Sequence, residues 1–310
     1  MAQPVISYPG AKWRFWKYLK QYIPTDIKHW REPFLGGGSM SLSIADDPDY
    51  NLETMIAGDL APEIWAFWTG CRNHADDVME IARKWFIEKC PNQQILKGIP
   101  SESPDYAKQY EVVIEEARKF WAWSQEVDCS TLSIPERAAR IFLVNKVSFS
   151  GMGDSGSLSK ERFCEFNLES LMRIKMAQPL LQKMEIRNCS FEETMANTPE
   201  KDGFIFLDPP YYRQESSGLY GRNGDTHKGF PHQGFAEFTK AQKCKWLITY
   251  DDSIYVRKMF LGDGIYINPF KIDGGYLMAM RPSEDALDGE ELLITNYDIY
   301  NDECSGLDLL

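Results

Sequence analysis

Apolar positions recur along this chain with two periods, and the switches between them divide it into stretches. The spacing from Trp13 to Tyr22 predicts an amphipathic helix ending near Pro24. Trp30-Arg31-Glu32-Pro33-Phe34-Leu35 reads as a strand running into Gly36-Gly37-Gly38, after which Ser39 opens a helix-compatible run through Ile44. Thr54 to Gly58 predicts a second strand that stops at Asp59, and Ala61-Pro62-Glu63 starts another helix through Trp68. Strand, tight turn, helix and strand in this order begin a doubly wound α/β domain.

From about residue 63 the pattern becomes helical, charged and rich in tryptophan, as in Pro104 to Trp123 and Ile134 to Val147. Asn145 to Asn167 interrupts it with a glycine- and serine-rich stretch, expected to be an exposed loop or hairpin. Strand patterns resume at Glu185 to Asn188. Gly203-Phe204-Ile205-Phe206-Leu207 follows, a continuous apolar run of the kind found in buried parallel strands. Lys245 to Tyr250 and Glu291 to Asn296 are two further strand candidates. The expected organisation is a discontinuous α/β core over 1–62 and 185–300, a mainly helical insertion over 63–184, and an acidic tail over 301–310.

Composition refines this picture without changing it. At 43% hydrophobic and 26% charged residues, the chain has enough apolar surface to bury, so disorder is not the default. No stretch is apolar for the length of a membrane span and the amino terminus does not resemble a signal peptide, so a cytoplasmic protein is expected. The seven cysteines include no CxxC pair and the four histidines no HxxxH spacing, which gives an expectation of free thiols and no metal site. The net charge of −12 is unevenly spread: residues 281–310 carry nine acids against one base, leaving only −4 for residues 1–280. Local basic patches thus remain available; Lys12, Arg14, Lys17 and Lys20 form one candidate, a solvated helix face being the alternative.

Asp208-Pro209-Pro210-Tyr211 follows directly on an apolar strand, where open α/β sheets place ligand groups. Two prolines stiffen the chain and remove two donors, so backbone carbonyls and the Asp208 carboxylate present acceptors to a ligand that offers hydrogens. Tyr211 adds a face on which a planar base can stack. A rigid turn capped by Asp208 is the plainer alternative. In Glu32-Pro33-Phe34-Leu35-Gly36-Gly37-Gly38-Ser39, small residues between strand and helix let backbone approach a ligand closely, although a tight turn needs no more than that. Asp59 stands where nucleoside-binding α/β folds put the acid that receives ribose hydroxyls; a helix cap before Pro62 is the competing view.

Taken in order, Tyr8-Pro9-Gly10-Ala11-Lys12, Glu32 to Ser39, Ala57-Gly58-Asp59, Ser190-Phe191-Glu192-Glu193, Asp208 to Tyr211 and Glu291 to Tyr297 resemble the D12 class of DNA adenine-N6 methyltransferases, the Dam-like family. The resemblance spans nearly the whole chain. It implies a Rossmann-like methyltransferase sheet whose helical insertion recognises the DNA target, S-adenosylmethionine as cofactor, and double-stranded DNA as partner. It also implies a cytoplasmic enzyme of a prokaryotic or phage-infected cell. Tyr8, Lys12, Phe34, Gly36, Gly38, Asp59, Phe191 and Asp208 match its cofactor-binding positions, and Asp208, Pro209, Pro210 and Tyr211 its catalytic clamp. From the residues alone, Lys12 reads as a surface lysine and Phe191 as core.

Members of the family often carry an arginine and asparagines in a DNA-contacting hairpin. Here Asn145-Lys146-Val147-Ser148-Phe149-Ser150-Gly151 begins similarly but continues Met152-Gly153-Asp154-Ser155-Gly156. Lys146, Ser150, Lys160 and Arg162 are the DNA-contact candidates there. Arg213, Arg222, Asn223 and Lys228 are those of the polar segment 213–232, for which a lid is the alternative. Two other functions compete: methylation of a different planar amine, such as RNA adenine or protein glutamine, and an inactive acidic DNA-binding or DNA-mimicking relative. Asp208 in place of asparagine favours adenine over glutamine, and the intact motif set disfavours the inactive relative.

Overall fold

The computed structural model describes residues 3–96, 102–212, 229–270 and 291–300. Seven strands form one sheet: β1 (His29–Glu32), β2 (Thr54–Asp59), β3 (Glu185–Asn188), β4 (Gly203–Leu207), β5 (Lys245–Asp251), β6 (Tyr266–Phe270) and β7 (Glu291–Thr295). Their order across the sheet is β3-β2-β1-β4-β5-β7-β6. The first five pair in parallel, whereas β7 runs antiparallel to both β5 and β6. From β1 the chain builds outward to β2 and β3, and from β4 outward to β5. The order therefore reverses between β1 and β4, and a crevice opens at the carboxyl ends of those two strands, where such sheets bind ligands.

The helices are α1 (Trp16–Leu19), α2 (Ser39–Asp46), α3 (Pro62–Asn73), α4 (Ala75–Lys89), α5 (Pro104–Glu126), α6 (Ile134–Val147), α7 (Lys160–Glu165), α8 (Met172–Leu181), α9 (Phe191–Met195), α10 (His232–Lys240) and α11 (Ile254–Phe260). Each strand side chain faces opposite its neighbour, and β4 shows the consequence. Phe204 and Phe206 enter one apolar cluster, while Ile205 and Leu207 enter another on the far face. The first cluster runs from Trp30 and Met55 of the sheet through Phe67 and Trp68 of α3 to Phe86, Phe120, Phe142 and Phe163. The second gathers Trp246, Ile248, Leu292 and Ile294 beneath Phe235 of α10 and Val256 and Phe260 of α11. Full burial of side chains of this size stabilises by about 1.5–3 kcal/mol each, which is why β4 is apolar on both faces.

The described residues of 63–184 are mainly helical, with α3 packed against β2, β3, α6 and α8. These helices share one continuous core with the sheet. The helix expected over Trp13 to Tyr22 is instead a single α-turn, Trp16–Leu19, between two 3₁₀ turns. Its buried residues, Trp16 and Leu19, lie one turn apart, which a short mixed helix satisfies as well as a long one. Among the described residues, no helix is long and apolar enough to cross a membrane.

Candidate active site

A cavity of about 750 Å³ lies where the strand order reverses, lined by residues that follow β1, β2 and β4 and by the amino-terminal segment. That volume is within the range of small-molecule sites. The turn after β1 forms one wall. Gly36 and Gly38 have φ of +43° and +67°, a region that disfavours a Cβ, and a Cβ on either would come within 2.7 Å of the rings of Tyr8 and Trp68 respectively. The Trp68 indole donates to the Gly36 carbonyl at 2.8 Å, which fixes the turn from below. Tyr8 is thus a packing partner of the glycine turn and a wall of the cavity.

Helix α2 starts at this turn with Gly38 as its N-cap, which has no side chain to accept the first backbone N–H groups. Glu32 supplies the acceptor from the preceding strand: its Oε2 receives the Ser41 N–H at 2.7 Å. Burial pushes the Glu32 carboxyl up to about 8, with the hydrogen bond from Ser41 opposing the shift. Asp59 holds the other side of the turn. Its Oδ2 accepts from Gly36 N and its Oδ1 from Ala61 N, each at 2.9 Å, and burial pushes its carboxyl up to about 6. Each oxygen keeps a further lone pair for a ligand. Asp59 therefore orders the turn whichever of its two sequence readings is taken, and α3 begins from Ala61 without a side-chain cap.

Lys12 is only 1% exposed, contrary to its reading as a surface lysine. Its Nζ donates to both carboxylate oxygens of Asp208 and to the Gly10 carbonyl, all at 3.0 Å, and lies 5.2 Å from the centre of the Tyr211 ring. Burial, the largest single influence, would lower the Lys12 ammonium, but the charges of Asp208 and Glu291 together with the hydrogen bonds to Asp208 outweigh it and leave Lys12 above its ordinary value. The Thr249 hydroxyl donates to Asp208 Oδ1 at 2.7 Å. Tyr211 stacks on Tyr250 with centroids 5.9 Å apart, and its phenol is raised well above its ordinary value by burial and then by Glu291 and Asp208. Asp208, Pro209, Pro210 and Tyr211 all line the cavity, as do Lys12, Asp59 and the glycine turn.

At another part of the wall, Phe34 and Phe191 stack with centroids 6.0 Å apart, and Phe230 and Phe235 meet Phe34 edge-on. Phe191 opens α9, whose capping box joins Ser190 and Glu193. It is both core and cavity wall, so the core reading was incomplete rather than displaced.

The structure brings Tyr8, Lys12, Phe34, Gly36, Asp59, Phe191 and Asp208 to Tyr211 around one cavity, with Gly38 beneath the turn. It separates the DNA-contact candidates. Lys146 turns inward, donating to the Val5 carbonyl at 2.6 Å, and its ammonium is lowered to about 7, first by burial and then by Arg173 and Arg162. Arg162 reaches the Ser7 hydroxyl at 3.3 Å. Ser150 is exposed with φ of +51°, and Lys160 is exposed at the start of α7. Arg213, Arg222, Asn223 and Lys228 lie outside the described residues, as does the 301–310 tail.

Sequence reasoning missed Thr249, Asn145 and Glu291. Asn145 ties the amino-terminal motif to the loop after α6, exchanging hydrogen bonds with the Ser7 backbone at 2.9 and 2.6 Å and donating to the Gly151 carbonyl at 2.7 Å. Its signal was a buried polar residue at the end of a helical pattern. Gly151 to Ser155 also line the cavity, held by the bidentate pair of Arg140, fully buried on α6, with Asp154 at 2.6 and 2.9 Å.

The model of the D12 class of N6 adenine-specific DNA methyltransferases matches residues 8–271, which contain the glycine turn, Asp59, Phe191 and Asp208 to Tyr211. The chain belongs to this family. It is thus an adenine-specific DNA methyltransferase, an enzyme class that requires a methyl donor. It is 22% identical over 300 residues to the type II methyltransferase M.CviBI of Paramecium bursaria Chlorella virus NC1A, covering 95% of this chain and all of that protein. It is 20% identical over 237 residues to the type II methyltransferase M1.LlaDCHI of Lactococcus lactis subsp. cremoris, covering 74% of this chain and 72% of that protein. Among the described residues, no group of three or more metal-ligating side chains comes together.

Proposed function

We propose that this cavity binds S-adenosylmethionine and that Asp208 to Tyr211 hold a flipped-out adenine of duplex DNA for methylation at N6. The residues fit the cofactor on three counts. A glycine wall that a Cβ would fill, an acid with spare lone pairs at Asp59, and an aromatic wall of Phe34 and Phe191 suit a compact chain, a ribose and an adenine ring respectively. When bound, S-adenosylmethionine supplies an electrophilic methyl group.

The rest falls to the chain. An adenine inside a duplex must leave the stack, at a cost of a few kcal/mol, and the Tyr211 face recovers part of that. Asp208 and the Pro209 carbonyl accept the two N6 hydrogens, which draws the nitrogen lone pair out of ring conjugation and fixes its direction. Pro209 and Pro210 keep those acceptors still, so orientation and preset electrostatics provide much of the acceleration. Helices within 63–184, with Ser150 and Lys160 exposed, form the target-recognition region; the polar segment 213–232 adds further contacts.

The observation that carries this reading is the position of Asp208, at the sheet's switch point, within the same cavity as Asp59 and the glycine turn. Asp208→Ala is expected to lower single-turnover methyl transfer at least about 10³-fold while cofactor affinity, measured by equilibrium dialysis, changes by less than about tenfold. Full activity in that variant would remove Asp208 from the mechanism.

A further inference from the structure

Glu291 begins β7 opposite Asp251 of β5, and strand alternation puts both on the same sheet face as Thr249. It is 6% exposed and is not part of the cavity wall. Among the described residues, its Oε2 and the Tyr211 hydroxyl are both buried without a hydrogen bond of ordinary geometry. The two nevertheless act on each other: Glu291 raises the Tyr211 phenol, and Tyr211 favours the charged form of Glu291. Thr249, the hydroxyl that donates to Asp208, acts on the same phenol. Asp208 thus meets Thr249 at 2.7 Å, Glu291 lies on the same sheet face as Thr249, and the Tyr211 hydroxyl feels both Thr249 and Glu291. An unmet buried polar atom costs about 1–3 kcal/mol, and a small shift that lets Tyr211 donate to Glu291 would remove two such costs.

We propose that Glu291 is the terminal acceptor of the proton released from the adenine amine, reached from Asp208 through the hydroxyls of Thr249 and Tyr211. The scheme rests on the methylation reading above. N6 forms a bond to the methyl carbon as the carbon–sulfur bond breaks, its electron pair going to sulfur. The amine, now cationic, loses one N–H: the pair stays on nitrogen and the proton passes to Asp208. Once the Thr249 hydroxyl has turned from Asp208 toward Tyr211, Asp208 gives a proton to Thr249 as Thr249 gives its own to Tyr211 and Tyr211 gives its own to Glu291. The methylated base ends neutral, both hydroxyls are unchanged, and Glu291 becomes a carboxylic acid. A proton resting on Asp208 would face the Lys12 ammonium at 3.0 Å, which favours passing it on.

Glu291 touches no reacting atom and is a positioning residue that fixes where the proton ends. The charged and titratable groups around it are Lys12, Asp208, Tyr211 and Asp251. Burial is the largest influence on it, opposed by Lys12 and reinforced by Asp208, and sets its carboxyl at about 7. It is therefore ionised and able to accept only above that pH.

Single-turnover methyl transfer measured across pH 5.5 to 9 tests the relay with wild type, Glu291→Gln and Tyr211→Phe. Wild type is expected to lose about tenfold per pH unit below about 7 and to level off above it. Each variant is expected to be about 10²-fold slower at pH 8, to lack the acidic limb, and to be no slower when the two are combined. Retention of the acidic limb in either folded variant, or an unchanged rate, overturns the proposal. Should Glu291→Gln fail to fold, Tyr211→Phe, which keeps the stacked ring, decides alone. No methyl transfer to DNA adenine by wild type at any pH would instead remove the reading on which the relay rests.

Discussion

Lys12 and Asp208 show at the level of single residues how a site can be stable and reactive together. An ammonium and a carboxylate out of water are tolerable as a pair, with 3.0 Å contacts to both oxygens, and costly when separated. Asp208→Ala strands the Lys12 charge and is expected to destabilise the fold by about 3–5 kcal/mol in denaturant titrations. Adding Lys12→Met is expected to recover at least half of that without restoring methyl transfer; additive losses would show that the two do not act as a pair. The sequence made Asp208 legible, because an acid directly after an apolar strand stands where open α/β sheets place ligand groups. Lys12 was not legible from its neighbours, since only the folded chain brings it to a partner 196 positions away. Thr249 was hidden for the same reason, as a threonine in a strand pattern is unexceptional until a carboxylate lies beside it.

Secondary-structure elements explain why the glycine turn holds its shape. Helix α2 has no capping side chain of its own and takes Glu32 from β1 as a substitute. The raised carboxyl makes this cap pH-sensitive. Because the folded value of about 8 is above the unfolded one, the stability linked to protonated Glu32 is fully present below about 4.5 and is lost as pH rises through about 8. Melting temperature is expected to fall from pH 5 to pH 8.5 in wild type and to fall less in Glu32→Gln, which keeps an acceptor for Ser41 N. Equal slopes would deny Glu32 this part.

At this scale the strand patterns were largely legible: β4 matches its apolar run, and β2, β5 and β7 differ by a residue at most. The missed elements each have a physical cause. β6 contains Pro269, which suits an edge strand and interrupts a strand pattern. α11 has seven residues, too few for a helical period to stand out, and α10 carries Gly234 in its first turn. The expected helix at Trp13 failed because buried positions one turn apart do not distinguish α from 3₁₀ winding.

For the whole molecule, the helical region and the sheet share one core, so the helices are mechanically joined to the cavity. The Arg140–Asp154 pair and Asn145 carry that join to the cavity wall at Gly151 to Ser155. The net charge of −12 makes DNA binding depend on local cations. Affinity for duplex DNA, followed by fluorescence anisotropy, is expected to fall at least tenfold between about 50 and 200 mM salt, and a flat response would count against phosphate contacts. The target sequence was not legible, because the stretch that departs from the family hairpin offers no side-chain pattern that specifies bases.

The claim on which everything else depends is that this cavity methylates adenine in DNA. Purified chain is incubated with methyl-labelled S-adenosylmethionine and unmodified duplex DNA, the DNA is digested to nucleosides, and the labelled nucleoside is identified by mass. The account predicts N6-methyldeoxyadenosine as the labelled product; label on cytosine, or in RNA or protein but not in DNA, would contradict it.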